Sequence, residues 1–288
     1  MKRFLKLLTI IIICCILAFV LLCYTLFIGV DNVHISYQTI ISEKIPNSLN
    51  DKKIAFFSDI TYLEFMDKGR LQNMITTLNE AHADIVIFGG DIFSDPINFA
   101  PDSKSEKELT EILSSIQAPL GKFAVYGDQD IVNDETKNIV TNILMNSEFE
   151  IISNSNIQLR NETSQGITLV GLDPLMNGTI NVNTAFKNIT KDDFTILVSH
   201  CPDIMTDTSL NTNYIDIAVA GHSLGGQIYI PIYGPIEKQE GASTYFHGIY
   251  EINTSTLYVS NGLGTRKSDL RIFSRPEIFL FRLQSQQS

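Results

Sequence analysis

The sequence is poor in cysteine and in basic residues, and both shortages narrow the range of cross-links and partners. Only four cysteines occur in 288 residues, and Cys14, Cys15 and Cys23 share one apolar stretch near the N-terminus. Cys201 therefore stands alone in the rest of the chain, which excludes a disulfide within that part. Lys and Arg number 21 against 32 Asp and Glu, a formal net charge of -11. This balance argues against a nucleic-acid partner, because nucleic acids are bound by clustered basic residues.

Charged residues are also absent from Leu7 to Ile28, a run of 22 residues that follows Lys2, Arg3 and Lys6. A helix of this length, at about 1.5 Å per residue, is long enough for the roughly 30 Å hydrocarbon core of a bilayer. The run is longer than the apolar part of a cleaved signal peptide, and it lacks the polar stripe of an amphipathic core helix. We therefore predict a transmembrane anchor over residues 1–30. The basic residues before it predict a single-pass protein of the cell membrane, with a cytoplasmic N-terminus and an extracytoplasmic domain.

Residues 31–288 read as one domain, because no second break in composition and no low-complexity tract interrupts them. Short apolar runs bounded by turn residues alternate with helical stretches in the first half, and strands dominate the second half. This order predicts an α/β fold of two packed mixed β-sheets flanked by helices. The runs do not alternate in polarity, which is typical of strands buried on both faces. The strands are predicted at 33–41, 54–58, 85–88, 123–126, 167–172, 195–199, 217–220, 227–232, 245–252, 256–260 and 277–283, and the helices at 67–82, 105–116 and 135–146.

Five of these strands lead into an acidic residue or a histidine, namely Asp59, Asp91, Asp128, His200 and His222. Open α/β sheets gather ligands at the carboxyl ends of their strands. Three carboxylates at one place repel one another, and one of them stays protonated unless a cation compensates. With two imidazoles they form an oxygen-and-nitrogen set suited to Mn, Fe, Zn or a similar divalent ion. The alternative is that each acid is an ordinary turn or cap residue and each histidine a loop or core residue.

The order of these segments resembles the calcineurin-like metallophosphoesterases. That family carries D-x-H, G-D, G-N-H-D, a lone His after a strand, and G-H-x-H, in this order. The resemblance covers roughly residues 31 to 284 and implies the family's two-sheet sandwich. Further segments (Pro231 to Gly234, Gly248 to Tyr250 and Tyr258 to Gly264) resemble one membrane-associated branch of the family. The matching motifs read Asp59-Ile60-Thr61, Gly90-Asp91, Gly127-Asp128-Gln129-Asp130, His200, and Gly221-His222-Ser223-Leu224.

The resemblance implies one complete metal site and one damaged site. The ligands that it assigns to the first ion are reduced to Asp59 and the bridging Asp91, because Thr61 and Leu224 replace two histidines. The family's catalytic histidine is Gln129 here, which donates a hydrogen bond but cannot transfer a proton. Loss of general acid-base help typically costs about 10² to 10⁴ in rate. The ligands assigned to the other ion are all retained: Asp91, Asp128, His200 and His222.

Two functions therefore stay open from the sequence. One is a metal-dependent phosphoesterase with weakened activity, a single divalent ion, and catalytic roles for Asp59 and Gln129. The anchor favours a substrate near the membrane, such as a phospholipid, a lipid-linked nucleotide or a phosphodiester of the cell envelope. The other is a catalytically inactive binding or scaffold protein at the membrane. The changes at Thr61, Gln129 and Leu224 favour the second function, and the retained ligands of the other ion favour the first.

Overall fold

A computed structural model describes residues 2–27 and 29–286 of the chain. Two six-stranded sheets pack face to face, and most helices cover the outer face of the first sheet. The prediction of two mixed sheets flanked by helices is therefore confirmed. Four residues lie outside the described ones: Met1 and Ile28 of the predicted anchor, and Gln287 and Ser288 of the predicted domain.

The first sheet has the order β1-β14-β2-β3-β4-β5. Its strands run parallel except at one place, where β14 pairs antiparallel with β2. Strands β2, β3 and β4 therefore point their carboxyl ends to the same edge. The six strands are β1 (His34–Ser42), β2 (Lys53–Phe57), β3 (Ile85–Phe88), β4 (Lys122–Ala124), β5 (Phe149–Ile151) and β14 (Glu277–Ser285).

The second sheet has the order β12-β13-β9-β8-β7-β6. Its four central strands are parallel, and an antiparallel strand closes each edge. A two-stranded hairpin, β10 (Tyr229–Ile230) with β11 (Gly234–Pro235), stands beside the sheets. The six strands are β6 (Ser155–Arg160), β7 (Gly166–Gly171), β8 (Thr195–Val198), β9 (Ile217–Ala220), β12 (Gly248–Ile252) and β13 (Ser255–Val259).

Alternate side chains of each buried strand enter different cores. In β2, Phe56 packs between the two sheets, whereas Phe57 packs outward against the helices, and both are fully buried. A third core covers the outer face of the second sheet through residues such as Leu197 and Leu257. The non-alternating apolar runs of the sequence thus reflect strands with two buried faces, as predicted.

Each of the three main helices begins at a side-chain cap. Asp67 and Asn133 accept hydrogen bonds from backbone N–H groups three residues later, and Asp102 forms a capping box with Ser105. Such caps satisfy backbone donors that have no partner within the helix. The helices are α2 (Lys68–Glu80), α3 (Ser103–Ser114), α4 (Asp134–Asn146) and the short α5 (Val182–Ala185), and the 3₁₀ turns are Asn47–Leu49, Pro202–Thr206, Thr212–Tyr214 and Leu224–Gly226.

Sequence patterns located most elements and missed the weakest ones. The strand predicted over 227–232 is reduced to the two residues of β10. Gln227 adopts a left-handed φ of 46° before this strand, and a turn begins directly after it. Strands β5 and β6 were not predicted. Strand β6 is an edge strand of mixed polarity with one buried residue, Leu159, so it lacks an apolar run.

The N-terminal segment forms the helix α1 (Lys2–Phe27). Its described side chains are largely exposed, including Phe4, Ile10 and Leu17. Over residues 2–27 and 29–286, no helix qualifies by length and apolarity as a membrane span. The predicted transmembrane helix is therefore not supported.

Candidate metal centre

Four of the predicted site residues form one buried cluster at the strand ends of both sheets. Asp91 and Asp128 follow β3 and β4 of the first sheet, and His200 and His222 follow β8 and β9 of the second. One ligand atom from each residue lies within 4.8 Å of the other three. Parallel strands therefore bring together side chains that are far apart in sequence, as the pattern of strand ends predicts.

The backbone at these positions is strained in a way that aims the side chains inward. Asp91 and His222 adopt left-handed conformations, with φ of 62° and 67°. Residues other than glycine rarely adopt this region, and such strain concentrates at functional sites. Gly127 is required by contact, because a Cβ atom there would lie 2.0 Å from Asp91 Oδ1. Gly90 (φ 93°) supplies a turn that an L-residue rarely makes.

Each histidine directs toward the cluster the ring nitrogen that carries a lone pair when the imidazole is neutral. His200 Nδ1–H donates to the Gly89 carbonyl oxygen at 2.7 Å, which leaves Nε2 as a lone-pair donor. His222 Nε2–H donates to the Glu240 carbonyl oxygen at 2.7 Å, which leaves Nδ1. The two free nitrogens lie 3.2 Å apart. Backbone carbonyls that fix the tautomer in this way are typical of metal-ligating histidines.

The carboxylates complete the set of ligand atoms. Asp91 Oδ2 lies 3.2 Å from His200 Nε2, and Asp128 Oδ1 lies 3.2 and 3.0 Å from the free nitrogens of His200 and His222. Asp128 Oδ1 is buried without a regular hydrogen bond within the described residues. Four converging O and N donors, one of them unsatisfied, fit a divalent ion with bond lengths of about 2.0–2.2 Å.

The electrostatics of the cluster show the same need for positive charge. Burial disfavours ionisation of Asp128, but protonated rings of His200 and His222 beside its carboxylate would outweigh burial and hold the pKa of Asp128 far below its usual value. Burial likewise lowers the pKa of His200, yet the charge of Asp91 and the neighbouring carboxylates raise this pKa well above its usual value. Without a metal ion, a second proton on the His200 ring would supply part of the missing charge.

Asp59 lies beside the four-ligand cluster. It is fully buried, and its Oδ2 accepts hydrogen bonds from Ser58 Oγ (2.6 Å) and the His222 backbone N–H (2.9 Å). Its Oδ1 is buried without a hydrogen-bond partner among the described residues and lies 4.0 Å from His200 Nε2. Asp59 thus has one free carboxylate oxygen at the edge of the cluster.

The three altered positions of the motifs have different local roles. Gln129 is at the site, because its Nε2 donates to Asp128 Oδ2 at 2.7 Å and its backbone N–H donates to Asp91 Oδ1 at 2.9 Å. The Thr61 hydroxyl instead donates to the Thr265 carbonyl oxygen at 3.2 Å, and Leu224 is buried as an apolar residue. Of these three residues, therefore, only Gln129 offers the cluster a polar side chain.

Asp130 organises the loops that carry the ligands. Its carboxylate accepts the backbone N–H groups of Asp91, Ile92 and Gly127, each at 2.8 Å. Complete burial, and next the charge of Asp91, raise the pKa of Asp130 to about 7. This residue closes the Gly127 to Asp130 motif, but the sequence analysis gave it no role.

The site also contains Arg266, which the sequence analysis missed. Its Nη2 forms an ion pair with Asp91 Oδ2, and its side chain is 17% exposed. Burial lowers the pKa of Arg266, but the charge of Asp91 and then of Asp128 and Asp59 outweighs burial and raises it. The available signal was position, since Arg266 also lies on a loop that follows a central parallel strand, β13.

Comparison with known proteins agrees with these motifs. No family model matches the chain. The chain is 29% identical over 263 residues to an uncharacterized metallophosphoesterase of Bacillus subtilis, YkuE, covering 91% of this chain and 89% of the relative. It is 26% identical to an uncharacterized metallophosphoesterase of Campylobacter jejuni, Cj0846 (85% and 62% covered), and 25% identical to the Escherichia coli phosphodiesterase YaeI (80% and 82% covered). In its ordered motifs and its buried cluster of aspartates and histidines, the chain is similar to proteins named metallophosphoesterases.

Proposed function

We propose that the protein is a metal-dependent phosphoesterase that works with one divalent ion. The observation that carries this proposal is the buried cluster of Asp91, Asp128, His200 and His222, whose free donor atoms converge. An ion bound there would polarise a phosphoryl oxygen and lower the pKa of a water molecule. The relative named as a phosphodiesterase supports phosphate-ester hydrolysis as the reaction class.

Residues of the chain supply the remaining requirements of hydrolysis. The free Oδ1 of Asp59 is placed to accept a hydrogen bond from an attacking water and so to orient it. Gln129 holds Asp128 through its amide and fixes Asp91 through its backbone N–H. Gln129 cannot protonate the leaving group, so substrates with good leaving groups, which need no acid, are favoured.

The test is hydrolysis of an aryl phosphodiester by the full-length, Mn²⁺-loaded protein, with Asp91→Asn as the matched control. We expect turnover that requires the metal and disappears in the Asp91→Asn variant. Turnover equal in the two proteins would contradict the proposal. A phospholipid or another envelope phosphodiester is the natural second substrate if the protein acts at a membrane.

A second candidate is a metal-holding binding protein without catalysis. The specific observations in its favour are the Thr61 hydroxyl bonded to main chain, the buried aliphatic Leu224, and the amide at Gln129. The same experiment separates the two functions. A protein that binds Mn²⁺ with normal affinity but has no turnover above Asp91→Asn would favour the binding protein.

The location of the protein at the cell membrane, with its domain outside the cytoplasm, stays a prediction from the N-terminal sequence. Fractionation of cells that express the full-length protein tests it. Recovery in the membrane fraction, with release only by detergent, is the expected result. Recovery in the soluble fraction without detergent would contradict it.

A further inference from the structure

The carboxylate of Asp91 has two different neighbours on its Oδ2 atom. His200 Nε2 lies 3.2 Å away, and the Arg266 guanidinium forms an ion pair with the same oxygen. We name Asp128, His200 and His222 the metal side of Asp91, and Arg266 its arginine side. Asp91 therefore links a metal-binding cluster to a permanent cation.

We propose that Arg266 is the second cation of this centre: it fixes the metal content at one ion and binds the phosphoryl group beside that ion. The phosphate-binding part rests on the proposed function, whereas the ion count does not. An arginine suits this position because its planar guanidinium binds carboxylate and phosphate oxygens through parallel N–H groups and stays charged when buried.

The guanidinium is held in place by partners that leave part of it free. Arg266 Nη1 donates to Gln239 Oε1 at 3.0 Å. The Gln227 side chain clamps the backbone of Arg266, accepting from its N–H at 2.9 Å and donating to its carbonyl at 3.0 Å. Arg266 Nε is buried and has no hydrogen-bond partner among the described residues. An unpaired buried N–H is costly, and the exposed 17% of the Arg266 side chain gives a ligand access to this residue.

Charge balance limits the number of metal ions. The carboxylates of Asp59, Asp91 and Asp128 are buried, and Arg266 forms an ion pair with Asp91. Asp130 is also buried, but it accepts three backbone N–H groups and is left out of the count as a structural residue. Three carboxylates and one guanidinium leave a formal charge that one divalent ion neutralises. A second divalent ion would place excess positive charge next to a buried guanidinium, which is costly in a site of low polarity.

Space for a ligand lies directly beside Arg266. A cavity of about 210 Å³ is lined by Arg266, Gln227 and Gln239, and Ile228 and Ile236 supply apolar wall. A phosphate ester bound between the metal side and Arg266 would direct its organic group into this cavity. Developing negative charge on a transferred phosphoryl group is stabilised by such a fixed cation.

The test measures binding and therefore does not depend on turnover. Calorimetric titration of the full-length protein with Mn²⁺ should give one ion per chain. Titration of the Mn²⁺-loaded protein with inorganic phosphate should show an affinity at least tenfold lower for Arg266→Met than for the wild type, as expected for loss of a charge-assisted hydrogen bond. Arg275→Met, which removes an exposed arginine outside the site, is the matched control and should bind phosphate normally.

Arg266→Lys keeps the charge without the planar fork and should fall between the wild type and Arg266→Met. If Arg266→Met does not fold, the phosphate affinity of Arg266→Lys tests the proposal in its place. Two Mn²⁺ ions per wild-type chain would overturn the proposal. Phosphate affinity unchanged in both Arg266 variants would overturn it equally, even if the protein proved to be an active phosphoesterase.

Discussion

The metal side and the arginine side of Asp91 both compensate the negative charge of buried carboxylates, but they do so by different means. On the metal side, two imidazoles and a carboxylate converge on a point that a cation or added protons can neutralise. On the arginine side, the cation belongs to the protein itself and pairs with Asp91 directly. A buried group of carboxylates can thus be neutralised partly by an exchangeable ion and partly by a fixed side chain.

The largest effect is expected when a ligand is removed from the metal side. His200→Ala deletes a fully buried donor that contacts both Asp91 and Asp128. We expect loss of Mn²⁺ binding and a fall in phosphodiesterase rate of about 10³-fold or more, since the metal supplies Lewis acid and nucleophile. Calorimetry and initial rates measure the two effects.

The control for this change is His34→Ala, which removes an exposed histidine at the start of β1 that is not part of the cluster. It should leave both Mn²⁺ binding and rate unchanged. Normal metal affinity in His200→Ala would show that the ion, if any, is held elsewhere.

A smaller effect, on stability, is expected for a change at Glu277, which joins the loop of Arg266 to the first sheet. The Glu277 carboxylate, at the start of β14, accepts the backbone N–H of Asn261, and the Glu277 N–H donates to the Gly262 carbonyl. These bonds hold the beginning of the loop that carries Arg266. Burial raises the pKa of Glu277 to about 7, above the ordinary value of 4.5 for this side chain.

A raised pKa means that the folded protein binds this proton more tightly than the unfolded chain does. The stabilisation is complete below about pH 4.5 and is lost as the pH rises through 7. Glu277→Gln, which keeps an acceptor but carries no charge, should therefore be more stable than the wild type at pH 8. The gain should approach about 3 kcal/mol, at 1.36 kcal/mol per pKa unit, and should vanish near pH 4.

Denaturant unfolding of both proteins at several pH values measures this difference. The exposed Glu162→Gln is the matched control and should show no such trend. A constant difference between Glu277→Gln and the wild type across the pH range would contradict the raised pKa.

The two sides also differ in how far the sequence predicts them. The metal side was predictable residue by residue, because each ligand directly follows an apolar strand and the order of the motifs resembles a known family. Arg266 was not predictable in the same way, because it follows β13 only after a loop of glycines and its contact with Asp91 depends on how that loop folds back. The strand limits of β2, β3, β8 and β9 followed from apolar runs, whereas the edge strand β6 has no such run.

The smallest effect is expected when a general acid for the leaving group is introduced, since neither side of Asp91 supplies one. Gln129→His would introduce a group able to donate a proton to the leaving oxygen, at a position whose backbone already contacts Asp91 and whose side chain contacts Asp128. General acid catalysis is worth about 10² to 10⁴ when the geometry is tuned. We expect only about a tenfold gain for an aryl ester, because an aryloxide leaves readily without an acid, and a larger gain for an alkyl ester.

The gain in rate of Gln129→His should depend on protonation of the introduced imidazole, whose ordinary pKa is near 6.5. It should therefore be greatest at low pH and decline as the pH rises toward 8, whereas the wild-type rate should lack this decline. Gln129→Asn, which keeps an amide but cannot transfer a proton, is the matched control. Equal rates for the His and Asn variants on an alkyl ester would mean that Gln129 serves to position Asp128 and does not occupy the place of an acid.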